Sequence, residues 1–156
     1  MDSVVNVLES LQESEALNRL LLRLPQRHPD LLVDKITYLE KNKFIASIKN
    51  ITRSEIPLAG VNANRYYPGT MILESLVQTC FILIMHDQLD IPDTEGQNLL
   101  SGLSDAKFHQ AVVAGDRLLL TAEVIEKKPY IWTLESRAAT EENLVAEATI
   151  NFKSAA

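Results

Sequence analysis

Three polar residues, Thr70, Glu74 and Gln78, repeat every four positions along a stretch that is otherwise apolar. Side chains at this spacing lie above one another on one face of an α-helix. A buried carboxylate is costly unless it is paired or hydrogen-bonded, so Glu74 needs a reason to be there. Two explanations remain open. Glu74 could lie on a solvent-facing side of the helix, near the N-terminus where the helix dipole stabilises a negative charge, or it could line a cleft and act as a proton donor.

Other reactive side chains are few and poorly spaced for chemistry. Cys80 and His86 are six positions apart and so lie on different faces of a helix, which does not support a Cys–His nucleophile pair. We expect Cys80 to be an inert core residue. The remaining histidines, His28 and His109, stand in separate segments without the spacing of metal ligands, so we predict no metal site.

The polar stripe belongs to the longest predicted helix, from Gly69 to about Gln88. Its other positions are apolar almost all the way round, which is typical of a helix buried in the middle of a protein. A second helical pattern covers residues 4–24; it could restart at Ser14, and Pro25 should end it.

Strands account for most of the remaining chain. Short apolar or alternating runs separated by polar turns predict six of them, over residues 31–39, 44–51, 99–113, 117–126, 130–139 and 144–152. Residues 53–68 and 89–97 should be loops, and a loop as long as the first is often functional. Strands on both sides of one buried helix predict an α+β fold in which an antiparallel sheet wraps that helix.

Composition narrows the class of protein. The 156 residues have a net charge of −6, are 46% apolar and include one cysteine. This predicts one domain over residues 1–156, excludes an intrachain disulfide and argues against nucleic acid as a partner. Residues 1–10 lack the basic start of a signal peptide, and the apolar stretch Met71–Met85 is shorter than the ~18–20 residues of a membrane span. We therefore expect a cytoplasmic protein with no membrane span.

Three stretches resemble the FabZ/FabA-type β-hydroxyacyl-acyl-carrier-protein dehydratases. Residues 24–35, LPQRHPDLLVDK, resemble the family's L-P-H-R-Y-P-F-L-L-V-D-R. Residues 68–78, PGTMILESLVQ, resemble P-G-V-L-x-I-E-A-M-A-Q, and residues 106–116, AKFHQAVVAGD, resemble K/V-R-F-x-R-P-V-x-P-G-D. Their order and spacing extend the similarity over roughly residues 17–153.

The resemblance implies a hotdog fold, with six antiparallel strands around the helix that begins at Gly69. It also implies a homodimer or a trimer of dimers acting on an acyl-carrier-protein or CoA thioester, with no cofactor. In this family a loop histidine of one subunit removes the α-proton, and a helix Glu of the other protonates the leaving hydroxyl. Amides at the helix start polarise the thioester carbonyl. By this likeness Glu74 is the acid, Gln78 the glutamine one turn later, and Gly69 the helix start.

The loop before the helix departs from the family pattern. The family has G-H-F-P-G-R-P-x-M-P-G, whereas residues 60–69 read GVNANRYYPG and are one residue shorter. Val61, or Gly60 when the alignment has no gap, then stands where the histidine should be, and neither can accept a proton. We expect Asn62 and Tyr67, like Gly69 and Gln78, to contact substrate, and neither Asn62 nor Tyr67 to act as a base.

Three functions remain open from the sequence. The chain could be a dehydratase or hydratase whose base is water, a relocated side chain or a partner subunit's residue. It could be a non-catalytic hotdog subunit that pairs with an active dehydratase, or a thioesterase in which Glu74 activates water. A carrier protein would need a local basic patch, for which the candidates are Arg65, Lys107, Arg117 and Lys127.

Overall fold

The computed structural model describes residues 2–56, 65–87 and 98–154. Its regular elements are α1 (Asp2–Asn18), β1 (Lys35–Glu40), β2 (Phe44–Asn50), α2 (Gly69–Asp87), β3 (Asn98–Phe108), β4 (Arg117–Lys128), β5 (Ile131–Ala139) and β6 (Leu144–Ser154). Two short 3₁₀ segments, Arg19–Arg23 and Arg53–Glu55, complete them. The predicted loop 89–97 lies outside the described residues.

The six strands form one antiparallel sheet in the order β1-β2-β4-β5-β6-β3. Alternate residues of the central strands face α2; Leu120, Leu134 and Ile150 are among those with no exposed surface. The sheet thus wraps one helix, and the predicted α+β hotdog fold is confirmed.

Helix α2 forms the core because its apolar residues surround its axis. Leu76, Ile82 and Leu83 are fully buried. The helix is long and apolar enough to cross a bilayer by length and composition, yet half of it is buried inside the protein. The core helix of a soluble protein passes the same test of length and composition. Cys80 lies in the same core; burial raises the pKa of its thiol to about 12, so it is unreactive, as predicted.

The N-terminal helix is shorter than the predicted span of residues 4–24. Regular α-helix ends at Asn18, and the next five residues form a 3₁₀ turn. The Asn18 amide donates to the Ser14 carbonyl at 2.6 Å, and its oxygen accepts from the Ile36 amide at 2.9 Å. The side chain thereby fixes the end of α1 against β1, a tertiary contact that helical periodicity cannot reveal.

Strand β3 lies at one edge of the sheet, and its residues are more exposed to solvent than those of the other strands. Its register with β6 shifts twice, between Leu100 and Gly102 and between Ser104 and Lys107. Leu99, Leu100 and Phe108 are each about half exposed, at 58%, 49% and 51%. An unpaired edge with exposed apolar side chains is open to pairing with another chain.

Candidate active site

Glu74 is held by a hydrogen-bonded lattice that also ties α2 to the segment before β1. The amide of Gln78 donates to Glu74 Oε1 at 2.9 Å and to the Asp30 carbonyl at 2.8 Å. The oxygen of Gln78 accepts from the Leu32 amide at 2.8 Å. Gln78 is 1% exposed, whereas Glu74 is half-buried. The lattice therefore orients a carboxyl group that stays accessible from one side.

The polar stripe is therefore a hydrogen-bonded arrangement and not a plain solvent face. Gln78 uses its amide and its carbonyl oxygen, and each partner would be a buried or half-buried polar group without it. Thr70 is exposed at the helix start and takes no part in the lattice. Glu74 and Gln78, which were predicted to share one helix face, are thus in direct contact.

A cleft of about 410 Å³ opens at the N-terminal end of α2. Its lining includes Tyr66, Gly69, Ile72, Phe108 and Val112. The backbone of Tyr67 donates to the Val112 carbonyl at 2.7 Å, and Tyr66 forms a β-bridge with Val113, so both walls are tied together. Glu74 does not line this cleft.

Gly69 permits the close approach of an aromatic ring. A Cβ atom at this position would lie 2.8 Å from Cε1 of Phe108, inside van der Waals contact. The Phe108 ring therefore sits against the start of the helix, where unbonded backbone amides and the helix dipole favour a carbonyl oxygen or an anion. Phe108 belongs to the third family-like stretch but was not among the predicted site residues.

Tyr67 places its ring in the cleft wall and its hydroxyl inside the protein. The residue is 3% exposed, and its hydroxyl forms no hydrogen bond. Ser75 is next to it but donates instead to the Met71 carbonyl at 2.9 Å. Burial first, and then the negative charges of Glu55 and Asp34, raise the pKa of Tyr67 to about 12. Tyr67 therefore stays protonated at neutral pH and cannot serve as a base.

Beneath this cleft wall lies a buried lysine. Lys49 on β2 is 2% exposed, hydrogen-bonds Glu55 and lies 3.9 Å from Asp34. Burial by itself would raise the pKa of Glu55, but the hydrogen bonds from Lys49 and Thr52 outweigh it and lower the pKa. This ion pair anchors the segment that leads into residues 57–64. Sequence reasoning missed it, because Lys49 reads as a surface residue of a strand.

Two of the predicted site positions, Val61 and Asn62, lie outside the described residues. Among the described residues, the structure brings Glu74 and Gln78 into direct contact and places Gly69 and Tyr67 on the separate cleft. One chain thus carries the carboxyl group and the helix-start cleft on different sides of α2.

The three histidines occupy different environments. His109 lines the same cleft as Phe108 and Gly69, and its Nε2 lies 3.7 Å from Glu147 Oε2. His86 is 12 residues beyond Glu74, about 18 Å along the helix axis. Burial lowers the pKa of His86, and the nearby Lys41 adds to the effect. His28 is exposed, in the turn that ends at Asp30.

The basic candidates divide into two groups. Arg65 and Lys107 are exposed and adjoin the cleft residues Tyr66 and Phe108 in sequence. Lys127 is at the other end of the helix, where it pairs with Asp87 at 2.6 Å and lies 4.3 Å above the Trp132 ring. It is a structural cation and no part of a patch beside the cleft. No cluster of potential metal ligands occurs among the described residues.

Comparison with known proteins gives a consistent result. A family model described as a FabA-like domain matches residues 24–149. The chain is 37% identical over 131 residues to the 3-hydroxyacyl-[acyl-carrier-protein] dehydratase FabZ of Sulfurovum sp., covering 81% of this chain and 88% of the relative. Identity to the FabZ of Thiobacillus denitrificans is 38% over 128 residues, with the same two coverages.

Solved structures with the same fold are more distant in sequence. One belongs to the dehydratase heterocomplex ApeI:P from Xenorhabdus doucetiae, with a TM-score of 0.71, 12% identity and coverage of 90% of this chain and 91% of that one. Another is the E. coli PaaI protein of a phenylacetic acid degradation operon, with a TM-score of 0.68, 13% identity and coverage of 94% of both chains. At these identities the likeness shows the fold alone.

Proposed function

The chain belongs to the FabZ/FabA-type dehydratase family, and on that premise we propose that it catalyses the reversible dehydration of 3-hydroxyacyl thioesters with Glu74 as the acid. The observation that carries the proposal is the Gln78 lattice, which fixes a half-exposed carboxyl group beside a buried amide. In dehydration Glu74 protonates the departing hydroxyl, and in hydration it takes a proton from the attacking water.

We place the thioester carbonyl at the start of α2. The cleft beside Gly69 leaves room for a ligand there, and the amides at a helix start can polarise a carbonyl oxygen. Because Glu74 does not line this cleft within one chain, a complete site needs the cleft of one copy and the Glu74 face of another. The half-exposed apolar side chains of edge strand β3 suit the required pairing of two copies.

Tyr67 and Asn62 remain proposed substrate contacts. The ring of Tyr67 lies in the cleft wall, which is the observation in its favour. Exchange of Tyr67 for Leu should raise KM for the thioester, whereas Tyr67→Phe, which keeps the ring, should leave KM unchanged. An unchanged KM for Tyr67→Leu would remove Tyr67 from the binding site.

The proposal is tested with 3-hydroxyacyl and 2-enoyl thioesters, each on an acyl-carrier protein and on CoA, by following loss or addition of water. Wild type should turn over, and Glu74→Gln should lower kcat by about 10²-fold or more. Glu141→Gln, an exposed change in the turn between β5 and β6, is the matched control. Release of free thiol instead of water would identify a thioesterase in which Glu74 activates water.

A second candidate is a subunit that completes the site of a histidine-bearing relative. It is favoured by an intact Glu74 lattice in a chain that has valine at the family's histidine position. Such a protein would be inactive alone and active in a mixed oligomer, with activity abolished by Glu74→Gln in this chain. Both candidates assign the protein to acyl-thioester metabolism, and for either we propose a cytoplasmic location.

A further inference from the structure

Phe81 lies on the same face of α2 as Glu74, two turns further along the helix. The two residues are seven positions apart, which is close to two turns of about 3.6 residues each. Glu74, Val77 and Phe81 are half-buried, whereas Leu76 and Cys80 on other sides of the helix have no exposed surface. In the described part of the chain, the sheet therefore leaves one face of α2 open. This open face changes from acidic at Glu74 to apolar beyond it.

The edge strand β3 forms a second apolar wall beside the open face. Leu100 pairs with Phe152 of β6, which is 1% exposed, so Leu100 points to the helix side of the sheet. Leu103 pairs in the same way with Ile150, which has no exposed surface. The ring centroids of Phe81 and Phe152 are 6.1 Å apart, so the open face meets β6 directly beside β3. Leu100 and Leu103 are still 49% and 38% exposed, and an apolar groove thus lies between β3 and α2.

We propose that the acyl chain of the substrate lies in this groove and that Phe81 sets the longest chain that the protein accepts. The inference rests on the proposed dehydration, because it places the reacting Cβ of the substrate at Glu74. The groove begins at this acid, and its side chains offer a ligand no hydrogen bond at Val77, Phe81, Leu100 and Leu103. A hydrocarbon chain suits such walls, since each CH₂ group that leaves water tightens binding about fourfold.

Phe81 stands across the groove and is held there. Its ring packs on that of the buried Phe152, so it joins α2 to β6 and cannot turn toward the sheet. Val77, one turn nearer to Glu74, is β-branched and leaves more room beside the helix. The side chain that closes the groove on the α2 side is therefore Phe81.

The position of Phe81 gives the length limit. Seven residues of α-helix span about 10 Å along the axis, and both side chains lean toward the helix N-terminus, so their tips are about equally far apart. Contact between carbon atoms takes up ~4 Å of this distance. The remaining ~6 Å hold about five carbons of an extended chain, at roughly 1.25 Å per carbon from the C–C bond length. With the reacting Cβ at Glu74, the limit is an acyl chain of about eight carbons.

The test measures kcat/KM for 3-hydroxyacyl-CoA thioesters of four, eight, twelve and sixteen carbons. In wild type kcat/KM should rise from four to eight carbons, by up to about fourfold per CH₂, and fall at least tenfold from eight to twelve. Phe81→Ala and the milder Phe81→Leu should remove most of that fall. Val77→Phe, which adds a ring one turn nearer to Glu74, should restrict turnover to four carbons.

Phe44→Ala is the matched control. Phe44 is also half-buried and also pairs with another ring, that of Tyr38 at 6.0 Å, but it lies at the start of β2. Its removal should lower the unfolding temperature about as much as Phe81→Ala does, with the wild-type ratio of kcat/KM for twelve and eight carbons. A general loss of packing would not change that ratio, whereas a length limit at Phe81 would.

The outcomes separate this inference from the proposed dehydration. A wild-type ratio in both Phe81 variants, or wild-type turnover of sixteen carbons as fast as eight, overturns the length limit and leaves the dehydration standing. An unchanged ratio with a weaker self-association of Phe81→Ala would show instead that the open face is a contact between copies. Wild type without turnover at any length refutes the dehydration. Calorimetric binding of the same thioesters then decides: a length cut-off that Phe81→Ala removes supports the groove, and equal binding at all lengths overturns it.

Discussion

Two regions around the first turns of α2, the Glu74 side and the Gly69 side, differ in how their side chains are packed. On the Glu74 side, polar groups are buried and paired, and Gln78 serves three partners. On the Gly69 side, a 410 Å³ cleft is walled by the half-exposed Phe108 and Tyr66, at 51% and 52% exposure. The first side holds a group in place, and the second leaves room for a ligand. Substitutions of buried, paired polar groups should therefore change stability, and substitutions of the residues that line the cleft should change ligand contacts.

The largest loss of stability should come from the ion pair beneath the cleft wall. Lys49→Met leaves Glu55 without its cation and removes the neighbour of Asp34. Breaking a buried pair costs about 3 kcal/mol. Denaturant unfolding of Lys49→Met against the exposed change Lys41→Met measures the difference. A loss below ~1 kcal/mol would show that the pair is not an anchor.

A smaller loss is expected on the Glu74 side itself. Gln78→Leu leaves the Leu32 amide and the Asp30 carbonyl without partners and frees the Glu74 carboxyl group. Unpaired buried groups cost ~1–3 kcal/mol, so we expect a loss of about 2 kcal/mol together with a fall in kcat. Exchange of the exposed Gln12 for Leu is the matched control. Equal stability of the two variants would contradict a lattice that holds the helix to the turn.

On the cleft side, Gly69→Ala should affect ligand contacts more than folding. The added methyl group must displace the Phe108 ring, which is half exposed and can turn outward. Gly69 is the first residue of α2, where the higher helix propensity of alanine counts for less than in a helix interior, so net stability should change by less than ~1 kcal/mol. Turnover should fall severalfold, and Phe108→Leu in the same chain should recover part of it. Wild-type turnover for Gly69→Ala would remove the helix start from the site.

The smallest expected effect is a pH dependence of the folding stability that originates at Glu55. Its pKa in the folded protein is below the usual 4.5, because hydrogen bonds from Lys49 and Thr52 outweigh burial. The unfolded chain therefore binds a proton more readily, so this stabilisation is complete above pH 4.5 and is lost as pH falls through the folded value. The unfolding temperature should drop less between pH 6 and 3 in Glu55→Gln than in wild type. An equal drop in unfolding temperature for the two proteins would exclude Glu55 as the source of the pH dependence.

The parts of the site that the sequence predicted are those set by local periodicity. Glu74 and Gln78 share a face because they are four residues apart, and Gly69 begins the helix after Pro68. The strands were placed to within a few residues, except that β3 ends at Phe108 instead of 113 and β1 starts at Lys35 instead of 31. Before β1 the Leu32 amide bonds to Gln78, and after β3 the Val112 carbonyl accepts from the Tyr67 amide. These backbone groups therefore do not take part in sheet pairing.

By itself, the sequence determined the helix that carries the carboxyl group, the strands around it and the absence of histidine from the family's loop position. These follow from residue type and spacing along the chain. Only the tertiary structure decided what meets those residues. The contacts Gln78–Asp30, Phe108–Gly69 and Lys49–Glu55 join residues 48, 39 and 6 positions apart. Such contacts depend on how the sheet and the helix pack, so they cannot be predicted from the periodicity of the sequence. These contacts are what make the Glu74 side and the cleft different.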